Sequence, residues 1–316
     1  MRKRKLGSSD LEVAPLMLGC NVFGWTADEA TSFRLLDEFI NAGFNFIDTA
    51  DVYSKWVPGH TGGESESIIG RWLKQGGGRR DKVLIATKVG MELSPEKKGL
   101  SRAYIFQAVD ASLQRLQTDH IDLYQAHKDD PDTDLEETLG AFAELIRNGK
   151  VRYIGASNYA RARLAQALHV SERLEHPSYV SLQPQYNLAD RAPYETDLEA
   201  LCLEKQLGVI PYYSLASGFL TGKYKSKEEA SGAKRAMALG KYFNDRGEKI
   251  LATLAAVAGE HGSTSARVAL AWLMARPSIT APIASATSVD QLHDILGAVE
   301  LRLSPENIAA LNHASA

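Results

Sequence analysis

Residues 121–156, IDLYQAHKDDPDTDLEETLGAFAELIRNGKVRYIGA, hold one complete turn of the pattern that governs this chain. Ile121 to Ala126 is a short apolar run. Residues 135–148 follow with helical spacing, Leu135, Leu139, Phe142 and Ile146 on one stripe, and an apolar run returns at 151–156. A short run buries as a strand, whereas a 3.6-residue period buries one face of a helix, so the stretch predicts strand, crossover helix and parallel strand. Working outward, the same unit recurs. Strands are predicted at 16–18, 44–47, 83–87, 179–183, 208–212 and 279–283, with amphipathic stretches such as 30–41 and 103–116 between them.

Eight such strands result, most starting about 30–40 residues apart, the length of one βα unit. The step from Gly208 to Ile279 is about twice that. It holds a Lys-, Glu-, Gly- and Ser-rich excursion at 221–245 and two helical segments, 247–259 and 263–276. Long excursions inside a domain are commonly functional. Eight parallel units predict an α/β fold, a closed (β/α)8 TIM barrel with a long loop before the last strand. The rival is an open doubly wound sheet, which would carry G-x-G-x-x-G after its first strand. Residues 19–24 read Gly-Cys-Asn-Val-Phe-Gly instead. Gly76-Gly77-Gly78 follows a helix and reads as its stop. Residues 3–6 and 11–13, around Gly7-Ser8-Ser9-Asp10, predict an N-terminal β-hairpin closing the barrel's bottom. Residues 1–316 are expected to form a single domain.

Composition agrees with this. With 316 residues, 44% hydrophobic and 24% charged, the chain can bury a large core and is neither disordered nor collagen-like. No apolar run is long enough to span a membrane. Thirty-six basic against 39 acidic residues leave a net charge of −3 and no basic footprint for nucleic acid. Cys20 and Cys202 are too few and too far apart for a disulfide framework. A cytoplasmic protein with a small-molecule partner is expected, and no surface pattern marks an oligomer interface.

A barrel gathers its chemistry at the carboxyl ends of its strands. Those positions read Gly19-Cys20-Asn21, then Asp48 with Asp51 and Tyr53, Lys88, His127 with Asp129 and Asp130, Ser157-Asn158, Gln183 with Gln185, Tyr212-Tyr213-Ser214, and Ser285 to Ser288. Asp48, Tyr53, Lys88 and His127 can all move or bias protons. Singly each has a plain structural explanation: a cap, a snorkelling lysine, a satisfied histidine. Four at three successive strand ends form a candidate catalytic set with no metal.

Residues 46–53, Phe-Ile-Asp-Thr-Ala-Asp-Val-Tyr, with Gly63-Glu64-Ser65-Glu66 downstream, resemble the signature of the aldo-keto reductases. So do Ala86-Thr87-Lys88, residues 123–127, the segment Gly149 to Asn158, residues 183–188, and the Ser-Gly-Phe-Leu-Thr-Gly-Lys-Tyr of 217–224. The likeness runs from about Lys5 to about Leu311 and is nearest to the bacterial branch that resembles potassium-channel β-subunits. It implies reversible hydride transfer between a nicotinamide cofactor and a carbonyl. Tyr53 would donate the proton, Lys88 would ease it, Asp48 would hold the lysine and His127 would place the carbonyl oxygen.

The resemblance also implies cofactor contacts. Ser157, Asn158 and Gln183 match carboxamide positions, and Tyr212 the aromatic on the nicotinamide face. Leu215, Ser217 and Gly218 fall at the pyrophosphate, with Gln291 and Asp294 at the adenosine end. Gly19, Cys20, Asn21, Asp48, Tyr213, Ser285 and Thr287 complete the expected set. One departure bears on NADP(H), the family default. Where the family commonly has Lys or Arg against the 2′-phosphate, this chain has Ser285-Ala286-Thr287-Ser288, which opens NAD(H) use or dual specificity. Arg276 is a candidate substitute from another direction. Val22, Phe23, Trp25, Trp56 and the 221–245 excursion are the expected pocket walls. Two other enzyme readings, a Schiff-base aldolase on Lys88 and a metal hydrolase, fit the strand ends less well. A cofactor-sensing interaction protein with slow turnover is the rival from a different class.

Overall fold

The structure, a computed structural model, describes residues 1–224, 226–230 and 239–316. Strands β1 (Arg4–Lys5) and β2 (Glu12–Val13) pair antiparallel as the expected hairpin. Eight parallel strands follow: β3 (Met17–Gly19), β4 (Phe46–Asp48), β5 (Leu84–Val89), β6 (Ile121–Ala126), β7 (Val151–Ser157), β8 (Tyr179–Gln183), β9 (Gly208–Val209) and β10 (Ile283–Ala284). Their order is β10-β3-β4-β5-β6-β7-β8-β9. The ring shuts between β9 and the segment leading into β10. There the Val209 carbonyl accepts from the Thr280 amide at 2.8 Å, and the Pro211 carbonyl from the Ile283 amide at 2.9 Å. The result is the (β/α)8 barrel.

Two strands are shorter than the apolar runs suggested. The runs at 208–212 and 279–283 contain Pro211 and Pro282, which have no N–H to give a ladder. Only Gly208–Val209 and Ile283–Ala284 remain as regular strand. β6 and β8 fall on the expected bounds, while β3, β4 and β5 lie slightly later and β7 runs one residue further, so that Asp48 ends β4, Lys88 sits inside β5 and Ser157 ends β7. These functional candidates are therefore fixed by ladder bonds rather than carried on loops.

Helices α1 (Glu29–Asn41), α2 (Glu64–Lys74), α3 (Arg79–Lys82), α4 (Arg102–Leu116), α5 (Leu135–Arg147), α6 (Arg161–Arg173) and α7 (Glu199–Glu204) fill the early crossovers. The final step carries a short α8 (Lys227–Ala230), then α9 (Asp245–Glu260) and α10 (Ser265–Ala275). Helices α11 (Val289–Leu296) and α12 (Pro305–Ala314) end the chain. Caps start several of them: Asp28 Oδ1 accepts from the Thr31 amide at 2.8 Å, and Ser304 and Asn307 form a reciprocal capping box. On α5, Leu135, Leu139 and Phe142 are buried and Ile146 is half-buried, the predicted stripe. The triple glycine lies in the loop between α2 and α3, all three residues at positive φ. Among the described residues no helix is long and apolar enough to cross a membrane.

Two apolar layers position the site. One lies between sheet and helices and contains Trp72, Phe142 and Trp272. The other fills the barrel's lower end, where Leu6, Leu11 and Val13 of the hairpin meet Met17, Phe46, Leu123, Ile210 and Ala281. With that end plugged, polar side chains of the sheet have only the carboxyl end to face. The helix layer is packed to backbone contact: a Cβ on Gly70 of α2 would lie 2.0 Å from the Arg115 carbonyl of α4. Gly70→Ala is expected to cost about 1–3 kcal/mol, the scale of overpacking, read as a lower urea midpoint. An unchanged midpoint would show that the two helices have room to part.

Candidate active site

Lys88 organises the carboxyl end of the barrel. Its side chain is fully buried, and Nζ donates to Asp48 Oδ2 at 2.7 Å, to the Thr49 carbonyl at 2.8 Å and to the Tyr53 hydroxyl at 2.8 Å. Three bonds use all three protons of an ammonium group. The Tyr53 hydroxyl in turn donates to Asp48 Oδ2 at 3.1 Å. Asp48 Oδ1 accepts from Gln183 Nε2 at 2.9 Å, which ties β4 to β8 across the barrel mouth. The His127 ring stands edge-on to Tyr53 with centroids 6.0 Å apart. The four candidates from the strand ends are thus brought together.

Electrostatics sharpen their roles. Burial pushes the Tyr53 phenol well above its ordinary value, and the Asp48 carboxylate acts in the same direction. Burial draws Lys88 down, against the pull of Asp48. Burial, helped by Lys88 and Lys128, holds His127 well below the usual imidazole range, so the ring is neutral near pH 7. The easing of the phenol expected from Lys88 is therefore outweighed in the resting protein. Tyr53 keeps its proton firmly, and an oxygen that becomes negative beside it would change that balance.

Beside this set lie the candidate cofactor groups. Ser157 Oγ donates to the Gln183 carbonyl at 2.9 Å, Asn158 Nδ2 to the His127 carbonyl at 2.9 Å, and the Tyr212 hydroxyl to Asn158 Oδ1 at 2.7 Å. Tyr213 is exposed and packs 5.1 Å from Tyr212. Downstream of Leu215, residues Ala216, Ser217 and Gly218 hold φ of 47°, 59° and 100° in succession. The Ala216 and Gly218 amides are spent within this turn, donating to the Tyr213 and Leu215 carbonyls at 2.7 and 2.8 Å. A Cβ on Gly218 would lie 3.7 Å from Lys223 Nζ, so a cation stands at the same turn. Lys223 belongs to the 217–224 motif, yet sequence reasoning gave it no role. A tight turn with a lysine beside it, near amide and aromatic groups at the barrel mouth, offers polar and cationic groups of the kind a dinucleotide needs.

The adenosine-end candidates form a separate group. Thr287 donates from its amide and its hydroxyl to Gln291 Oε1, both at 3.0 Å. Asp294 is engaged within the chain by Arg267 at 3.0 Å and by Thr264 Oγ1 at 3.0 Å. Ser285 Oγ donates to Asn21 Oδ1 at 2.6 Å across the seam between β10 and β3. Gly19 is required there, since a Cβ would stand 2.6 Å from Ser285 Oγ. Cys20 is a free, buried thiol, pushed well up by burial.

Three expectations change. Arg276 does not reach this end: it is held by Glu199 at 3.2 Å and Glu195 at 3.7 Å, over the Trp272 ring. Val22 and Phe23 are fully buried core residues rather than pocket walls. Apolar side chains next to a strand end pack under the loop when the sheet–helix layer has space for them. Trp25 and Trp56 do flank the site, edge-on to each other at 5.6 Å, with Trp56 6.1 Å from Tyr53. The expected 221–245 wall falls partly outside the described residues. Its described end docks on Asp190, which accepts from Lys241 Nζ at 2.9 Å and from the Tyr242 hydroxyl at 2.5 Å.

A buried lysine and aspartate with a half-buried tyrosine at the carboxyl end of a (β/α)8 barrel place the chain among the barrel enzymes with a proton-transfer site. A family model described as the Aldo/keto reductase family matches residues 15–316, and the chain belongs to that family. An uncharacterized oxidoreductase, YrpG, of Bacillus subtilis (strain 168) is 40% identical over 97% of this chain and 94% of its own length. A probable voltage-gated potassium channel subunit beta of Arabidopsis thaliana is 32% identical over 95% and 92%. A versiconal hemiacetal acetate reductase of Aspergillus parasiticus is 31% identical over 98% and 96%. Family membership makes the chain an oxidoreductase of carbonyl compounds that works with a nicotinamide cofactor, generally NADPH in this family.

Proposed function

We propose that the chain reversibly reduces an aldehyde or ketone to the alcohol, with Tyr53 as proton donor. The observation that carries this is the triple engagement of Lys88 with Asp48, Thr49 and Tyr53. When bound, the nicotinamide supplies the hydride. As the carbonyl oxygen gains charge, the Tyr53 hydroxyl turns from Asp48 toward it and gives up its proton, and the Lys88 charge 2.8 Å away stabilises the phenolate left behind. A donor placed on such an oxygen is worth about 3 kcal/mol of barrier. Neutral His127 supplies a second polar contact without competing for the proton. Asp48 and Gln183 keep the lysine aimed. Because all three Lys88 protons are engaged, no lone pair is offered for a Schiff base, which argues against the aldolase reading.

Ser157, Asn158 and Gln183 would hold the carboxamide, Tyr212 the nicotinamide face, and Ala216 to Gly218 with Lys223 the pyrophosphate. Trp25 and Trp56 would wall a mouth suited to carbonyl compounds of moderate size. The deciding assay follows nicotinamide absorbance over a panel of aldehydes, ketones and alcohols, with stopped-flow single turnovers. Rapid chemistry with rapid release supports an enzyme, whereas cofactor release slower than any useful turnover supports the sensing protein that the channel-subunit relative brings to mind. No oxidation or reduction of any panel member would defeat the proposal.

Cofactor choice follows from the 285–288 turn, which offers hydroxyls and no cation. NADPH and NADH are expected to bind within about tenfold of each other, a difference under about 1.4 kcal/mol. Fluorescence titration with both cofactors measures it. A preference for NADPH above about a hundredfold would place a cation from elsewhere, such as the 221–245 excursion, against the 2′-phosphate.

A further inference from the structure

Behind the candidate tetrad, on the side away from the barrel axis, lies a second buried carboxyl that the mechanism above does not use. Asp51 is 1% exposed, and neither side-chain oxygen has a hydrogen-bond partner in the protein. The Val52 amide lies close by but outside hydrogen-bond geometry. The hydroxyls of Tyr104 on α4 and Tyr124 on β6 are likewise buried and unpartnered. Glu66 of α2, also fully buried, is satisfied: it accepts from Thr87 Oγ1 at 2.5 Å and pairs with Arg115 of α4 at 2.7 Å. Thr87 and Lys88 are neighbours on β5 whose side chains point to opposite faces of the sheet. Thr87 binds the outer carboxylate and Lys88 binds the inner one.

Charges around this wall do not balance if every acid is ionised. Asp48, Asp51 and Glu66 would carry three negative charges against two positive ones on Lys88 and Arg115. An ionised carboxylate without donors is very costly in an apolar setting, and such a group takes up a proton instead. Burial pushes Asp51 well above the usual carboxylate range, Glu66 adds to the rise, and Arg115 and Lys88 oppose it. Asp51 in turn favours the charged form of Lys88. The titratable and charged groups facing Asp51 from the elements packed around it are Glu66, Lys88, Tyr104, Arg115 and Tyr124.

We propose that Asp51 is a positioning residue held as a neutral carboxylic acid in the resting protein, and that its ionisation sets the alkaline limit of carbonyl reduction. Neutral Asp51 leaves Lys88 with one carboxylate partner, so the lysine's charge is free to support the Tyr53 phenolate. Once Asp51 loses its proton, a second negative charge behind Lys88 offsets that support and Tyr53 becomes a poorer acid. The inference rests on the tetrad assignment for its effect on rate, but the proton on Asp51 can be read without it.

The test compares wild type with Asp51→Asn, which is neutral at every pH. Difference infrared spectroscopy should show, in wild type alone, the carbonyl stretch of a protonated carboxyl at about pH 7, where an ordinary aspartate is ionised. Folding stability gives a second readout. An acid whose folded pKa is raised binds its proton more tightly in the native than in the unfolded chain, so its contribution falls as pH rises from about 4 to the native titration. The stability of wild type should therefore drop over that window relative to Asp51→Asn. The alkaline limb of kcat/KM should move up by about half a pH unit or more in the variant, because the carboxyl whose ionisation sets that limit is gone and the amide stays neutral. Absence of the infrared band overturns the neutral acid, and coincident pH limbs overturn the positioning role. If Asp51→Asn does not fold, carboxyl 13C resonances of aspartate-labelled wild type decide: one that stays protonated from about pH 5 to 7 supports the proposal, and none opposes it. A fully active Tyr53→Phe would remove the rate argument while leaving the spectroscopic one intact.

Discussion

Tyr53→Phe is expected to cut kcat/KM for carbonyl reduction by about 10²–10⁴, the scale of a lost general acid, with cofactor affinity unchanged within about twofold. The substitution removes one oxygen. That oxygen accepts from Lys88 at 2.8 Å and donates to Asp48 at 3.1 Å, while the groups proposed to hold the cofactor, Ser157, Asn158 and the 216–218 turn, make no hydrogen bond to it. Hydride delivery would still be possible, but the developing oxygen charge would meet only neutral His127. Because burial and Asp48 hold the phenol well above its ordinary value, the wild-type donor should stay protonated through neutral pH. Its rate should be flat there and fall only on the alkaline side, whereas the residual rate of the variant should lack that fall. Steady-state kinetics from acid to alkaline pH, with cofactor titration by fluorescence, measure both. Full turnover by the variant would remove Tyr53 from the chemistry and leave the Lys88 cluster a structural feature.

Much of this was legible in the chain because barrels write their chemistry at regular places. Aliphatic runs that end abruptly in Asp48, Lys88 or Gln183 mark strand ends from composition alone, and the helical stripe of residues 135–146 marks the crossover. The proline-broken strands near 211 and 282 were hidden, since an apolar run does not reveal a missing ladder donor. Phe23 misled for a related reason: an aromatic after a strand can face solvent, ligand or core, and only packing decides. Arg276 had no local mark of its partners, as Glu195 and Glu199 lie far away in sequence. Glu66 and Asp51 sat inside recognised motifs, but their burial and their unequal satisfaction are properties of α2 meeting α4. Gln183 shows the opposite case. Its strand-end position suggested a cofactor contact, and the structure adds a bond to Asp48 that joins it to the proton donor's support.

Lys88→Met tests whether that support is structural, chemical or both. Methionine fills similar volume without charge, so Asp48, 2% exposed, would keep its bonds from Gln183 and Tyr53 but lose the cation that pairs with it. Removing one partner of a buried pair costs about 3–5 kcal/mol, because the other charge stays behind unpaired. For a chain of this size that corresponds to a fall in Tm of roughly 5–8 °C. Carbonyl reduction should fall by about 10³ or more, as the phenolate loses the cation beside it as well as its oriented geometry. The two effects separate in the double variant Asp48→Asn/Lys88→Met. With no buried charge left unpaired, it should recover most of the lost stability, yet remain as inactive as the single variant. Urea denaturation and steady-state kinetics on the same preparations measure both quantities. A double variant that regained activity along with stability would mean that Lys88 serves only to neutralise Asp48. If Lys88→Met kept wild-type stability, the ion pair would contribute nothing net to the fold, and its burial would be explained by the chemistry alone.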